Sequence, residues 1–329
     1  MRPPTLTAVH SDALATPFAA HARSGSWGHF RSKLDDQGVY GVLSAVGRFF
    51  GVLWTWRQHQ KLVAVIDQPQ TRVLRVAFPR LAYRYTLPYL STSLAWIERR
   101  AALQSHYAFV NEVFDVDFSV RVLNDLLEIW HHEVEGECFS ISVQSLCPVT
   151  RHREGELTLC FRMARMPIYK LSFSIVALAD LPRSALAFKA EGALHALYVG
   201  RVQGLTGGME SLRRATVLLG DIAPQDLLMS AMAGLAAALG IEILIGVSDA
   251  DCVSRDSIAR SGSSFCYDQF WARYGSQQLD GGHHLMTLPV VERPIGDIAA
   301  KHRRRTQRKR DFKRQVLTSC EQAFRAQMG

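Results

Sequence analysis

Three consecutive stretches of alternating polar and apolar residues constrain the fold of this 329-residue chain more than any other feature. Residues 138–147, 156–163 and 168–177 place apolar side chains at every second position, with mostly polar ones between them. This period of two is typical of strands with one buried and one wet face. The connections 148–155 and 164–167 are short, so we expect the three strands to pair antiparallel.

The pattern changes after a fourth predicted strand at 194–203. Pro224 can begin a helix, apolar residues then repeat at helical spacing, and Gly240 can end it. The run 241–247 is apolar almost throughout, as expected of a parallel strand covered on both faces. We therefore predict an α+β fold, in which a mixed sheet runs from an antiparallel meander into a β-α-β-α-β unit.

The remaining segments are predicted to be mainly helical, with helices at 38–58, 92–114 and 119–133. Two apolar segments invite a membrane interpretation. Residues 227–247 fit a helix followed by a strand better than a membrane span. Residues 39–56 favour a buried core helix, with a helix lying on a bilayer as the alternative. The predicted organisation is a disordered leader at 1–30, a helical part at 31–135, a mixed αβ core at 136–291 and a basic C-terminal helix at 292–329.

The entire net charge of +8 lies in one segment, Lys301–Arg314, which contains nine Lys or Arg and one Asp. Apolar residues every four positions from Phe312 to Phe324 predict that the C-terminal half of this helix packs on the body. The basic half is either a solvated helical face or a surface for phosphate-bearing ligands, anionic lipid, an acidic protein or RNA. Sequence-specific DNA recognition is not expected, because no DNA-reading motif accompanies the charge.

The sequence offers no complete catalytic or metal-binding motif. The six cysteines show no C-x-x-C spacing, which suits buried thiols in a reducing, cytoplasmic compartment. His131 and His132 fall in a predicted helix, where adjacent side chains chelate poorly, so we expect no metal. The glycine-rich stretch 200–208 can present backbone N–H groups to a phosphate or can form a plain turn.

Several blocks in order resemble the bacterial VirK/YbjX family, which is defined by a domain of unknown function. The blocks are HY at 106–107, VGRVQG at 199–204, LLMSAMAGLAAALG at 227–240, IGVSDADCV at 245–253, YDQFWARYG at 267–275 and the basic stretch from Ala300. Together they cover about Leu90 to Leu317. The resemblance implies a role connected with virulence, stress or envelope adaptation. We expect a cytoplasmic protein, with the periphery of the inner membrane as the alternative location.

The order of predicted strands and helices also resembles, more weakly, the GNAT acyltransferase fold. That resemblance implies acyl-CoA or another phosphate-bearing donor, a catalytic tyrosine and carboxylates for proton transfer. The donor residues it implies are Arg201, Gln203, Gly204, Gly207 and Gly208, with Arg213 and Arg214 as charged clamps. The catalytic residues it implies are Tyr267, Asp249 and Asp251, although core packing and turn capping are the structural alternatives.

Two departures from the GNAT pattern weaken the acyltransferase interpretation. Residues 209–220 separate the glycines from the predicted crossover helix, and Trp271 stands where GNAT enzymes often carry the tyrosine. Two hypotheses therefore remain: a GNAT-like acyl or aminoacyl transferase, and a non-catalytic adaptor or regulator whose basic helix binds an acidic partner.

Overall fold

The structure is a computed structural model that describes residues 46–145, 153–181, 193–205, 208–255, 265–279 and 281–329. The chain divides into two units, residues 1–59 and 60–329. In the first unit, residues 46–54 are helical, and Phe50 and Trp54 are 62% and 92% exposed. The prediction of a core helix is therefore wrong for these two aromatic residues, while the start of that predicted helix lies outside the described residues.

Regular elements follow one another closely in the described chain. The helices are α1 Trp56–Ile66, α2 Arg72–Ala77, α3 Trp96–Val113, α4 Phe118–Leu123, α5 Met209–Leu218, α6 Pro224–Leu239, α7 Tyr267–Arg273 and α8 Ala300–Arg325. Short 3-10 turns lie at Leu81–Thr86, Leu178–Asp180 and Ile295–Asp297. The strands are β1 Leu127–Val134, β2 Glu137–Ser145, β3 Leu157–Met163, β4 Met166–Ala177, β5 His195–Gly204, β6 Ile243–Gly246, β7 Gln277–Gln278 and β8 His284–Thr287.

The strands form one mixed sheet in the order β1-β2-β3-β4-β5-β6-β8-β7. Strands β1 to β5 are an antiparallel meander, and β6 pairs parallel with β5. A parallel neighbour needs a crossover connection, which α5 and α6 supply between β5 and β6. The predicted α+β fold, its mixed sheet and its basic C-terminal helix are confirmed.

The helix predicted at 119–133 is wrong. Helix α4 ends at Leu123 and strand β1 begins at Leu127, after Asp125 adopts a left-handed φ of 58°. Strand β1 pairs along its length with β2, and Ile129 is buried. Cross-strand pairing and burial therefore override the helical spacing that the segment shows in isolation.

The apolar face of the sheet packs against α6 and α8. On α8, Val316, Cys320 and Phe324 are fully buried, which confirms the predicted packing of its C-terminal half. Close approach of α6 to α8 depends on Gly234, where an added Cβ would lie 2.4 Å from the backbone oxygen of Leu317. The two helices can therefore pack this closely only because α6 has no side chain at Gly234.

The opposite face of the sheet is polar but it is not wet. Ser142, Thr158 and Ser172 are 2%, 4% and 2% exposed, and Cys160 is fully buried. The prediction of one wet face is therefore wrong for the middle of the sheet. Buried hydroxyls and thiols must find partners within the fold, or leave room for a ligand that supplies them.

We expect Gly234→Ala to lower the free energy of unfolding by about 1–3 kcal/mol, because a new methyl group would meet backbone rather than a flexible side chain. Alanine favours the helix over glycine by about 1 kcal/mol. The variant is therefore destabilised only if the steric clash costs more than this gain. Urea denaturation would measure the difference. Gly296→Ala is the matched control, since a Cβ added at that position would have no neighbour within 4 Å. Equal or higher stability of Gly234→Ala would show that α6 and α8 separate at little cost.

Candidate functional site

Two rows of polar side chains cross the middle of the sheet on its polar face. The strand register aligns them, and neighbouring strands lie about 4.8 Å apart, so each row is a continuous band. The first row is Ser142, Cys160, Lys170 and Gln203, and the second is Gln144, Thr158, Ser172 and Arg201. We refer to these eight residues as the polar rows.

The polar rows are tied together by side-chain hydrogen bonds. The hydroxyls of Thr158 and Ser172 are 3.0 Å apart, and Arg201 Nε donates to Gln203 Oε1 at 3.0 Å. Lys170 is half-buried and has no hydrogen-bond or ion-pair partner among the residues that the structure describes. Lys170 and Arg201 are diagonal neighbours on adjacent strands, with Cβ atoms about 7–8 Å apart. An anion placed between them would be within reach of both side chains.

Beside Ser142 of the polar rows, the positive charge of Arg162 is neutralised by a carboxylate. The guanidinium of Arg162 contacts the Ser142 hydroxyl and the Asp125 carboxylate, and Ser142 donates to Asp125 Oδ1 at 3.1 Å. Burial raises the pKa of Cys160, while Arg162 and Lys170 oppose that change. Because Asp125 already balances Arg162, a ligand at the rows would meet the positive charge of Lys170, with Arg201 beside it.

A buried carboxylate, Glu156, lies just before β3, two residues from Thr158 of the polar rows. Its Oε2 atom accepts hydrogen bonds from Arg84 at 2.7 Å and Tyr107 at 2.5 Å. Its backbone N–H donates to Ser174, whose hydroxyl is 2.9 Å from that of Tyr89. Burial and the nearby Glu156 charge raise the pKa of both tyrosines, which stay protonated as hydrogen-bond donors. This cluster fastens the helical segment before the sheet to β3 and β4.

The neighbouring His106 performs a similar structural task. Its Nδ1 accepts the backbone N–H of Ile175 at 3.1 Å, which anchors α3 on β4. Burial, and secondarily the charge of Arg84, lowers the pKa of His106 to about 3, so the ring is neutral. The pair His106 and Tyr107 therefore holds the fold beside the polar rows, and this explains the HY block in structural terms.

Tyr267 lies where β5 and β6 part. Their pairing ends when Val247 N–H donates to Val199 at 3.0 Å, and further along β5 the Val202 N–H donates to the Tyr267 hydroxyl at 3.2 Å. Tyr267 is 1% exposed, and burial raises its pKa. This predicted catalytic residue therefore lies between the two strands, where its hydroxyl accepts the Val202 N–H that β6 does not reach.

Asp249 and Asp251 hold loops together. Asp249 accepts the N–H of Tyr267 at 2.7 Å and the Cys266 thiol at 2.8 Å, which fixes the start of α7. Asp251 accepts the Ser248 hydroxyl at 3.3 Å, and its carbonyl accepts the Thr92 N–H at 2.9 Å. These contacts correspond to the turn-capping alternative that the sequence left open.

The predicted donor residues fall into separate places. Arg201 and Gln203 lie in the polar rows, and Gly204 ends β5 against the side chains of Leu212 and Tyr169. Gly208 is the N-cap residue of α5, so residues 209–218 form a helix directly after the glycines. Two further positions stand elsewhere: Arg213 is exposed on α5, and Arg214 is paired with Glu137. Gly207 lies outside the described residues.

The basic segment of α8 is largely occupied within the fold. Six of its nine cations contact a partner: Arg303 with the carbonyls of Gly296 and Ile298, Arg305 and Lys309 with Asp221, Arg310 and Lys313 with Glu292, and Arg314 with Asp311. In the part of the chain described, Lys301, Arg304 and Arg308 have no such partner and are exposed. They are spaced by three and four residues, so they lie on one stripe of the helix.

No set of metal ligands is assembled in the described ranges. His131 and His132 belong to β1 rather than to a helix, and they pair with Ser140 and Phe139 on opposite faces. None of the described helices is long and apolar enough to span a bilayer. Residues 227–247 divide between α6 and β6, as predicted.

Comparison with known proteins gives a family and no activity. A family model described as "Protein of unknown function (DUF535)" matches residues 48–322. The chain belongs to this family. It is 23% identical over 265 residues to "Uncharacterized protein YbjX" of Escherichia coli (strain K12), covering 78% of this chain and 76% of that protein. The predicted VirK/YbjX resemblance is thereby confirmed.

The expected GNAT likeness gains no support, since no solved structure matches the chain. The mixed sheet contains the predicted parallel pair, yet the β5–β6 gap contains Tyr267. The strand order alone is therefore no evidence that this DUF535 protein transfers acyl groups.

Sequence reasoning missed Lys170 and the Glu156 cluster. The period-two pattern was the available signal, because it already placed Thr158, Ser172 and Arg162 on one face. Extending the pattern by one position adds Lys170 to that face. Contacts of Glu156 with Arg84 and Tyr107 join residues 72 and 49 positions apart, and no local spacing predicts such contacts.

We expect Glu156→Gln to lower the free energy of unfolding by about 3–5 kcal/mol, because it removes the charge that compensates the largely buried Arg84 guanidinium. Chemical denaturation would measure the loss. Asp221→Asn breaks an ion pair whose two side chains are more than half exposed and should change stability by less than about 0.5 kcal/mol. Similar losses in the free energy of unfolding for the two variants would show that Glu156 contributes no more to stability than a surface ion pair.

Proposed function

We propose that this protein binds a phosphate-bearing small molecule at the polar rows. The observation that carries the proposal is the diagonal placement of Lys170 and Arg201 on a buried face, beside the hydroxyls of Thr158 and Ser172. A half-buried lysine with no anionic partner loses hydration without gaining an ion pair. A bound anion would offset that cost.

The chemistry of the rows favours phosphate over a simple carboxylate. Phosphate oxygens accept several charge-assisted hydrogen bonds at once, and guanidinium groups match their geometry. Gln203 holds the Arg201 guanidinium at 3.0 Å, which limits the rotamers that Arg201 must give up on binding. One of the Thr158 and Ser172 hydroxyls donates to the other, so the pair can add one neutral donor to the anion.

An acyl-CoA is the first donor class to test, since it combines phosphates with an apolar arm. A transfer reaction needs a proton acceptor as well. The predicted residues Tyr267, Asp249 and Asp251 all have structural hydrogen bonds. The proposal is accordingly one of binding, with acyl or aminoacyl transfer as a further hypothesis.

We expect Lys170→Gln and Arg201→Gln each to weaken binding of coenzyme A or ATP at least about tenfold, the effect of losing one ionic hydrogen bond. Isothermal titration calorimetry on the folded protein would measure it. Arg213→Gln removes the same charge from an exposed position on α5 and should leave affinity unchanged. Wild-type protein that binds none of coenzyme A, acetyl-CoA, ATP and inorganic phosphate would refute the proposal.

A second candidate function belongs to the exposed stripe Lys301, Arg304 and Arg308. We infer that this stripe, rather than the whole basic segment, meets an acidic partner such as anionic lipid, acidic protein or RNA. Six other cations have partners within the fold and would have to exchange them. The free thiols at Cys138, Cys160, Cys252, Cys266 and Cys320 suit the cytoplasmic setting proposed with it.

We expect Lys301→Gln, Arg304→Gln and Arg308→Gln combined to reduce sedimentation with phosphatidylserine vesicles, or capture of RNA, at least about tenfold at low salt. The matched control combines Arg305→Gln, Lys309→Gln and Arg314→Gln, which removes the same charge from paired positions. Equal losses from both triple variants would indicate that only total charge matters.

A further inference from the structure

Two buried polar atoms near the β5–β6 pair lack hydrogen-bond partners among the described residues: the Tyr198 hydroxyl and His283 Nε2. Their residues are 1% and 3% exposed, and the two rings meet edge to face with centroids 5.7 Å apart. The Ser91 hydroxyl interacts with the Tyr198 hydroxyl and opposes the rise in the pKa that burial causes, but this contact does not reach hydrogen-bond geometry, whereas Ser91 lies 2.8 Å from the Ser93 hydroxyl. Buried polar atoms without partners are uncommon in folded proteins, and a bound water or ion is one explanation for them.

In the described part of the chain, the ring of His283 has one nitrogen, Nε2, that is free to accept a hydrogen bond from a ligand. The backbone of Gly281 acts on this ring and opposes the fall in the pKa of His283 that burial causes. We assign to His283 the neutral tautomer with the proton on Nδ1, in which Nε2 carries a lone pair. Burial lowers the pKa of His283, which keeps the ring neutral near pH 7. His283 therefore offers Nε2 as a hydrogen-bond acceptor.

The surroundings of the two rings are acidic. Asp251 and Glu98 each act electrostatically on both Tyr198 and His283. Asp251 Oδ2 is 3.3 Å from the Ser248 hydroxyl, and Glu98 Oε2 accepts the Ala95 N–H at 2.6 Å. Each carboxylate is thus fixed through one oxygen. The arrangement combines two negative charges with a neutral nitrogen lone pair and a phenolic oxygen.

We propose that Tyr198, His283, Asp251 and Glu98 form a binding site for a primary ammonium group. An ammonium has three N–H donors and one positive charge. His283 Nε2 and the Tyr198 oxygen would accept two of the donors, and the carboxylates would balance the charge. This site does not depend on the phosphate proposal, because it uses none of the polar rows.

Both atoms are buried in this conformation, so binding requires neighbouring groups to move aside. Gly282, which precedes His283, has a left-handed φ of 83°, and a Cβ added to it would lie 3.2 Å from Asp251 Oδ2. A larger residue there would press on the carboxylate that we assign to the ammonium.

The test compares ethanolamine with ethylene glycol, which has a similar size and no charge. Ring nitrogen resonances of His283 would be followed in ¹⁵N-labelled full-length protein at constant pH and ionic strength. Ethanolamine should cause a saturable shift, and ethylene glycol should cause none. Equal shifts from both probes would overturn the ammonium assignment, and so would a resonance unmoved by either, which would mean that the atoms hold a buried water only.

Variants separate ligand binding from a structural role. Asp251→Asn and His283→Gln should weaken ethanolamine binding at least about tenfold, whereas the exposed His302→Gln should not change it. Tyr198→Phe should leave the Tm unchanged or higher, because it deletes a hydroxyl without a partner. A Tm lower by more than about 5 °C would show that the hydroxyl already serves the fold and would overturn its place in the site.

Discussion

The cross-strand register of β2 to β5 is the constraint on which the rest of this structure depends. Hydrogen bonding sets Thr158 opposite Ser172, and Ser172 opposite Arg201, with the Lys170 row two residues away. A slip of one residue would turn the polar rows onto α6 and α8 and expose the apolar set on the other side. The same register therefore secures both the core and the proposed phosphate site.

A buried polar face has a cost that an apolar sheet would avoid. The fold offsets it at the two ends of the rows, through Asp125 with Arg162 and through Glu156 with Arg84. Among the described residues, Lys170 has no ion pair, and the hydroxyl of the neighbouring Tyr198 has no hydrogen-bond partner. Polar groups without partners, next to charges that are paired within the fold, are the physical reason to look for ligands here.

Much of the architecture could be predicted because it follows from local patterns. Helix α6 begins at Pro224 and ends before Gly240 in its left-handed conformation, as the helix signals indicated. Strand β1 could not be predicted, since its partner in β2 and the turn at Asp125 decide its conformation. For the candidate site, Arg201 and Gln203 were predicted, whereas Lys170 and the Glu156 contacts were missed. The roles of Tyr267 and Asp249 rest on contacts across 65 and 18 residues, which spacing does not encode.

The amino-acid sequence by itself determined the α+β class, the order of strands β2 to β6 with the crossover helix α6, the DUF535 relationship and the concentration of net charge in Lys301–Arg314. These properties are sums over local pattern and composition. Only the tertiary structure decided that the polar face is buried, that Tyr267 fills the β5–β6 gap, and that three of the nine basic residues in Lys301–Arg314 lack partners in the described chain. Those outcomes depend on which distant groups meet, because burial and ion pairing are properties of contacts rather than of residue order.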